Sequence, residues 1–327
     1  MQPVLLAGPT AVGKSEVALR LAETLGGEII SVDSMQVYRG LDLGTAKPST
    51  AARARVPHHL IDVVDITEPF DAAQFVRLAR PIVADLASRG RVAILCGGTG
   101  LYFKALFEGL GHAPPADAKL RAELESAPLA ELLRELAARD PVTYERIDRQ
   151  NPRRVVRAVE VIRLTGRPFS EQRAKWEAQM PGQGSGPLPS ASEQPAASGE
   201  QGGSPTEPLA FGLTRSSSDL GRRIDARVEE MFRRGLVAET RELLKRGLEQ
   251  NRTAMQALGY RQVVEFLHGQ RSLPATIELV KVRTRQYSRR QMTWFRRQMH
   301  LRWRELKPQA GLEAVSQSIA DEMRSPT

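Results

Sequence analysis

The chain has 327 residues, and 47 Lys and Arg against 38 Asp and Glu give it a formal charge of +9. That is roughly two domains at about 150 residues each, and 41% hydrophobic residues exclude wholesale disorder. One cysteine, Cys96, excludes a disulfide framework and a cysteine-built zinc cage and fits a reducing, cytosolic compartment, while no apolar run is long enough to suggest a membrane span.

Residues 3–7 read as a short buried strand and 15–25 as an amphipathic helix closed by Gly26-Gly27. Residues 28–33 form a second strand, and 60–65 are a candidate third. Residues 72–89 read as a helix closed by Gly90, and 92–96 as an apolar strand running into Gly97-Gly98-Thr99-Gly100. Short apolar runs alternating with helices predict an α/β fold, a parallel sheet with helices on both faces. From about Pro114 the texture changes. Residues 118–125 and 129–139 have apolar residues at helical spacing, and 152–164 read as a helix starting behind a proline. No strand pattern stands out there, so 1–113 form a first core part and 114–180 a helical insertion. Residues 181–208 contain six Gly, six Pro and five Ser, with Leu188 the only large apolar side chain. Such a stretch cannot offset its ordering entropy and is expected to be a disordered loop. A last strand at 209–213 precedes helices at 220–234, 237–246, 260–268 and 273–304. The second core part is 209–308, and 309–327 is a tail.

Gly8-Pro9-Thr10-Ala11-Val12-Gly13-Lys14-Ser15 fits G-x-x-x-x-G-K-[ST] between a predicted strand and a predicted helix. The glycines let the loop wrap tightly, its amides cradle phosphate oxygens, and the helix dipole adds to the attraction. Lys14 can reach the terminal phosphate, and the Ser15 hydroxyl is placed to ligate Mg²⁺. The core is thus like that of P-loop NTPases. The loop implies a polyphosphate but does not say what is attached to it.

Asp33 follows the second strand, and in an open parallel sheet ligands sit beyond the carboxyl ends of the strands. There it can be an outer partner of magnesium, a general base, or a local cap with Ser34 and Gln36. Gly97-Gly98-Thr99-Gly100 offers a close backbone approach with the Thr99 hydroxyl, or simply a tight turn. His58 and His59 are adjacent on a strand, point to opposite faces and cannot easily share a metal, so they read as structural.

These motifs, with Gly44-Thr45-Ala46-Lys47-Pro48, Ala257-Leu258-Gly259-Tyr260-Arg261-Gln262 and Arg290-Gln291-Met292-Thr293-Trp294-Phe295-Arg296, occur in the order and spacing of another group of proteins. From about residue 3 to 305 the chain resembles the tRNA dimethylallyltransferases. The resemblance implies transfer of a dimethylallyl group from dimethylallyl diphosphate to N6 of the adenosine 3′-adjacent to the tRNA anticodon, with Mg²⁺ and no nucleotide hydrolysis. It implies that the loop from Gly8 to Ser15 holds the leaving diphosphate, that Asp33 is the general base and that Thr99 lies near the reacting centre. An arginine on the diphosphate matches Arg223, with Arg222 beside it leaving the choice open. Asp33, Ser34, Met35, Gln36, Arg153, Arg154, Val155, Val156, Arg157, Gly259, Tyr260 and Arg261 match segments that touch tRNA. The helical insertion would grip the anticodon stem, and the adenine would be flipped out to react. The stretch at 181–208 is longer than is usual there and reads as a tolerated surface insertion.

Two other readings stay open: a small-molecule or nucleoside kinase, which shares the phosphate loop, and a non-enzymatic RNA-binding switch. The charge bears on them. Residues 281–304 hold one Lys, eight Arg and no acid, so the rest of the chain balances at 38 basic and 38 acidic residues. Arg283, Arg290, Arg297 and Arg304 recur every seven residues of the predicted helix, a plausible contact for a phosphate backbone. No heptad seam or dimer patch stands out, and a monomer is the default.

Overall fold

A computed structural model of the chain describes residues 2–174, 208–307 and 311–324. The expected loop at 181–208 therefore lies, but for Pro208, outside the described residues. Two compact units emerge: Met1–Phe107 with Ala178–Thr327, and Glu108–Glu177.

The first unit begins β1 (Val4–Ala7), α1 (Lys14–Leu25), β2 (Glu28–Val32), α2 (Thr50–Arg55), β3 (His58–His59), α3 (Ala72–Ser88), β4 (Ala93–Gly97) and α4 (Gly100–Glu108). In the second unit are α5 (Ala118–Ser126), α6 (Leu129–Arg139), α7 (Pro141–Arg146), α8 (Pro152–Thr165) and α9 (Phe169–Gln172). The first unit resumes with β5 (Leu209–Thr214), α10 (Ser217–Arg233), α11 (Leu236–Lys245), α12 (Tyr260–Leu267), α13 (Leu273–Gln298), β6 (Arg302–Glu305) and α14 (Leu312–Arg324).

All six strands are parallel, in the order β3-β2-β4-β1-β5-β6. On one face Val4, Leu6, Ile94, Phe211 and Leu213 pack with Val17 and Leu21 of α1 and Ile319 of α14. Alternation turns Leu5, Ile30 and Leu95 to the opposite face, where they are also buried. Burial on both faces is why these strands read as continuous apolar runs. The second unit has its own core, in which Leu124, Leu132 and Leu136 meet Val155, Val159 and Ile162 of α8.

Register sets the line from which the functional loops leave. Ala7 pairs with Gly97 and Val32 pairs with Gly97, so Gly8, Asp33 and Gly98 follow from one level. Gly97 has to be glycine, because a Cβ there would lie 1.9 Å from the Val32 carbonyl oxygen.

Two expectations are corrected. The third strand is His58–His59 and not 60–65, because Leu60 (φ 60°) and Asp62 (φ 57°) turn left-handed and break the extended run. The basic helix stops at Gln298, Met299 is extended, and Arg302–Glu305 join the sheet beside β5. Trp303 packs where Gly212 has no side chain, and Glu322 of α14 pairs with Arg302 and Arg304. The sevenfold arginine spacing runs past the helix end, so Arg304 does not belong to the helix face. Within the stretch read as a tail, α14 covers α1.

Glu28 is buried at the start of β2, where its carboxylate accepts hydrogen bonds from His59 Nε2 (2.7 Å) and Arg89 Nη1 (2.9 Å). Burial alone would raise its pKa, but these bonds outweigh it and hold the carboxyl below its usual range. A carboxyl whose pKa is lowered by folding contributes stability above its unfolded pKa and loses it as the pH falls. Glu28→Gln should therefore cost about 1–3 kcal/mol near neutrality. In urea melts the gap between the two proteins should shrink below about pH 4.

Candidate active site

Loop 8–13 passes from β1 into α1 through three left-handed residues, Gly8 (φ 153°), Ala11 (φ 63°) and Gly13 (φ 111°). Gly8 has no room for a side chain, since a Cβ would lie 2.8 Å from the Leu213 carbonyl oxygen. A left-handed alanine costs about 1–2 kcal/mol, which the bonds to the loop help to offset. Lys14 Nζ donates to Pro9 O (2.7 Å), Arg223 Nε to Ala11 O (2.9 Å) and Arg215 Nε to Val12 O (2.7 Å). With its carbonyls taken by cations, the loop presents positive charge and amides at a helix N-terminus. That is an anion nest.

The loop borders a cavity of about 760 Å³ lined by Lys14, Ser15, Asp33, Cys96, Arg223 and Arg227, among others. A smaller one of about 360 Å³, with Val228, Met231, Leu258 and Val280 in its wall, shares Thr10, Asp33 and Arg227 with it. Asp33 thus stands between a polar chamber and a more apolar one. Burial pushes the Lys14 ammonium down to about 8, against the opposing pull of Cys96 and Asp33. Burial likewise lowers the Arg227 guanidinium from its ordinary value, and Asp33 and Glu16 oppose it. Buried cations of this kind gain most from an anion. The Cys96 thiol is pushed up to about 12 by burial and is no nucleophile at neutral pH.

Asp33 Oδ1 accepts from Met35 N (2.8 Å) and Gln36 N (3.2 Å), so the cap exists. Among the described residues Oδ2 makes no hydrogen bond, which leaves one oxygen for chemistry. Thr99 Oγ1 accepts from Ser34 N (3.1 Å), tying the β4 turn to the β2 turn. The Gln36 carboxamide accepts from Ser31 Oγ and donates to the carbonyl of Thr45. Loop 41–47 is held from two further sides. Lys47 Nζ is bonded to Tyr38 O, Asp42 and Asp62. Glu239 of α11 accepts from Asp42 N, Leu43 N and the Tyr260 hydroxyl, which itself accepts from Gly44 N (3.0 Å).

The expected residues thus divide. The loop from Gly8 to Ser15, Asp33, Thr99 and Arg223 come together. Arg222 is mostly exposed and pairs with Asp219, so Arg223 is the one that reaches the loop. The Tyr260 side chain is buried, as are those of Val155 and Val156 in the second unit, which leaves the arginines beside them as the accessible members of the expected set. Of those, Arg153 and Arg154 are exposed, Arg157 is bonded to Glu160 and Pro114 O, and Arg261 pairs with Glu265. Arg215, Arg227 and Glu239 were not singled out from the sequence. The one available signal for Arg227 is its four-residue spacing from Arg223 on α10, which puts both on one helix face.

Among the described residues no group of three His, Cys, Asp or Glu could hold a metal. Magnesium takes few protein ligands and fills its shell with phosphate oxygens and water. The exposed Ser15 hydroxyl, with no side-chain hydrogen bond among the described residues, fits that requirement. Among the same residues no helix is long and apolar enough to cross a membrane.

The lowered Lys14 pKa has a direct readout. Modification of Lys14 by an amine-directed reagent should rise through about pH 8. Inorganic diphosphate should suppress it by pairing with the ammonium form; mass spectrometry of the labelled peptide measures both.

Known proteins resemble the chain along nearly its whole length. The IPP transferase family model matches residues 36–298. The chain is 47% identical over 302 residues to the tRNA dimethylallyltransferase of Halorhodospira halophila, covering 90% of each chain. It is 40% identical to that of Pelotomaculum thermopropionicum, over 98% of this chain and 96% of the relative. Among solved structures it is similar to the tRNA isopentenylpyrophosphate transferase of Bacillus halodurans (TM-score 0.66, 34% identity, 98% and 96% covered). It is also similar to a eukaryotic dimethylallyltransferase acting on tRNA (TM-score 0.74, 25% identity, 97% and 77% covered). The chain belongs to the IPP transferase family.

Proposed function

We propose that this cleft transfers the dimethylallyl group of dimethylallyl diphosphate to N6 of the adenosine 3′-adjacent to a tRNA anticodon, releasing diphosphate. The activity class, tRNA dimethylallyl transfer, is the one its relatives carry. One observation supports the finer reading above all: a phosphate nest with Lys14, Arg223 and Arg227 on one side of a cavity and a half-free carboxylate, Asp33, at its edge. Family membership sets aside the kinase and RNA-switch alternatives.

In this reading the allylic carbon–oxygen bond breaks as the carbon–nitrogen bond to N6 forms. The leaving diphosphate gains charge, and Lys14, Arg223, Arg227 and the loop amides stabilise it. The Ser15 hydroxyl would help hold a magnesium ion, which would supply further charge neutralisation. The N6 lone pair is delocalised into the adenine ring, so removal of its proton assists attack. Asp33 Oδ2 accepts that proton, while Oδ1 stays fixed by the amides of Met35 and Gln36. Thr99 holds the Ser34 amide and so the turn that carries the base. The apolar wall of Val228, Met231 and Val280 suits a hydrocarbon or a flipped base. The reacting groups come from one chain, and the reading needs no second copy.

Exposed arginines without ion pairs among the described residues, Arg283, Arg289, Arg290, Arg296 and Arg297, make α13 the proposed contact for the tRNA backbone. In the helical unit, Arg153 and Arg154 are the proposed grip on the anticodon stem.

Incubation with dimethylallyl diphosphate, Mg²⁺ and unmodified tRNA should add one dimethylallyl mass to an anticodon-loop fragment; an unchanged fragment would refute the proposal. Asp33→Ala should lower turnover by about 10²–10⁴-fold with substrate binding retained. Replacing the α13 arginines by glutamine should flatten the log–log salt dependence of tRNA binding by about 0.7–0.9 per lost phosphate contact.

A further inference from the structure

Gln291 is buried on α13 between exposed arginines, where nothing about an RNA-facing helix calls for a buried amide. Its Oε1 accepts from Thr10 N of the phosphate loop (2.9 Å), and its Nε2 donates to Gly98 O after β4 (2.9 Å). The approach requires a missing side chain, since a Cβ on Gly98 would lie 2.3 Å from Nε2. One helical turn on, Trp294 lies against Gly100 in the same way, with a Cβ there 2.1 Å from the ring. The glycines after β4 thus serve the approach of α13.

From Gly98 the connection continues. Thr99 accepts from the Ser34 amide, and the Met35 amide bonds Asp33. A run of hydrogen bonds and single peptide steps joins Thr10, Gln291, Gly98, Thr99, Ser34 and Asp33. It links the phosphate loop to the carboxylate along the wall of the cavity.

We propose that Gln291 is a positioning residue that fixes the distance between the leaving diphosphate and the base. This rests on the reading of loop 8–13 as the diphosphate cradle and of Asp33 as the base. Displacing reacting groups by about 1 Å can cost about 10²-fold in rate, and among the described residues Gln291 is the one side chain bonded to both the phosphate loop and the β4 turn. The bonding also says why the residue is an amide. One donor and one acceptor are needed on a planar head. A carboxylate has no donor for Gly98 O, whereas a protonated carboxyl has both. Burial against a carbonyl favours that protonated form.

Gln291→Glu and Gln291→Leu test this through the pH profile of kcat, each as a ratio to the wild type so that protonation of Asp33 cancels. Gln291→Leu should lower kcat by about 10²-fold at every pH, with KM for tRNA unchanged. The Gln291→Glu ratio should rise at least about tenfold from about pH 8.5 to 5.5, as the carboxyl takes up its proton. A ratio for Gln291→Glu that does not change with pH would overturn the inference, as would a Gln291→Leu protein that turns over like the wild type. Should Gln291→Leu fail to fold, Gln291→Glu decides alone, because one protein is compared with itself across pH. Lys14→Met separates the underlying reading. Full turnover and an unchanged KM for dimethylallyl diphosphate in that variant would remove the cradle itself. An impaired Lys14→Met with a flat Gln291→Glu ratio would remove only the role of Gln291.

Discussion

The cleft depends on how closely β4 can lie beside β2. Gly97 presents bare backbone to Val32 at a distance that excludes even a methyl group, and the same glycine is in register with Ala7. Three loops therefore start from one line, carrying the phosphate nest, the carboxylate and the glycine turn. A side chain at Gly97 would separate the strands at the level where these three loops begin. What each loop contributes chemically is local, but the distance between contributions is set by the sheet.

The second constraint is electrostatic. A loop of converging amides exposes carbonyls on its other side, and these need donors. Here Lys14, Arg215 and Arg223 supply them, so the groups that stabilise the loop also give it positive charge. Such a nest is held together by the same residues that make it attractive to an anion. Loop 41–47 follows a related logic with opposite sign, its amides taken by the Glu239 carboxylate and its carboxylate neighbours by Lys47.

What the sequence disclosed follows from locality. The phosphate loop is contiguous, and Asp33 follows an apolar strand, so both were legible, as were the parallel sheet and the separate helical segment. Arg215 and Arg227 were not, because their partners lie 203 and 217 residues away and a lone arginine looks the same wherever it folds. Arg304 misled, because a sevenfold spacing continues across a helix end that only the pairing of β5 with β6 defines. The glycines after β4 were ambiguous between ligand approach and turn. They turn out to admit the side chains of Gln291 and Trp294. The basic segment also resolves into two groups. Lys281, Arg285, Arg302 and Arg304 are paired with acids from elsewhere in the chain, and the arginines without such partners lie on α13.

The central position of β1 has a consequence for how the protein is made. β1 is flanked by β4 and by β5, both later in the chain, and the helix that follows it, α1, is covered by α14, whose Arg324 bonds the carbonyl of Thr24 across 300 residues. The segment from β1 to α1 must therefore wait, with apolar faces open, until β4, β5 and α14 are synthesised. Contacts so distant along the chain slow folding and prolong exposure to aggregation. The phosphate loop is thus made well before the segments that complete its surroundings.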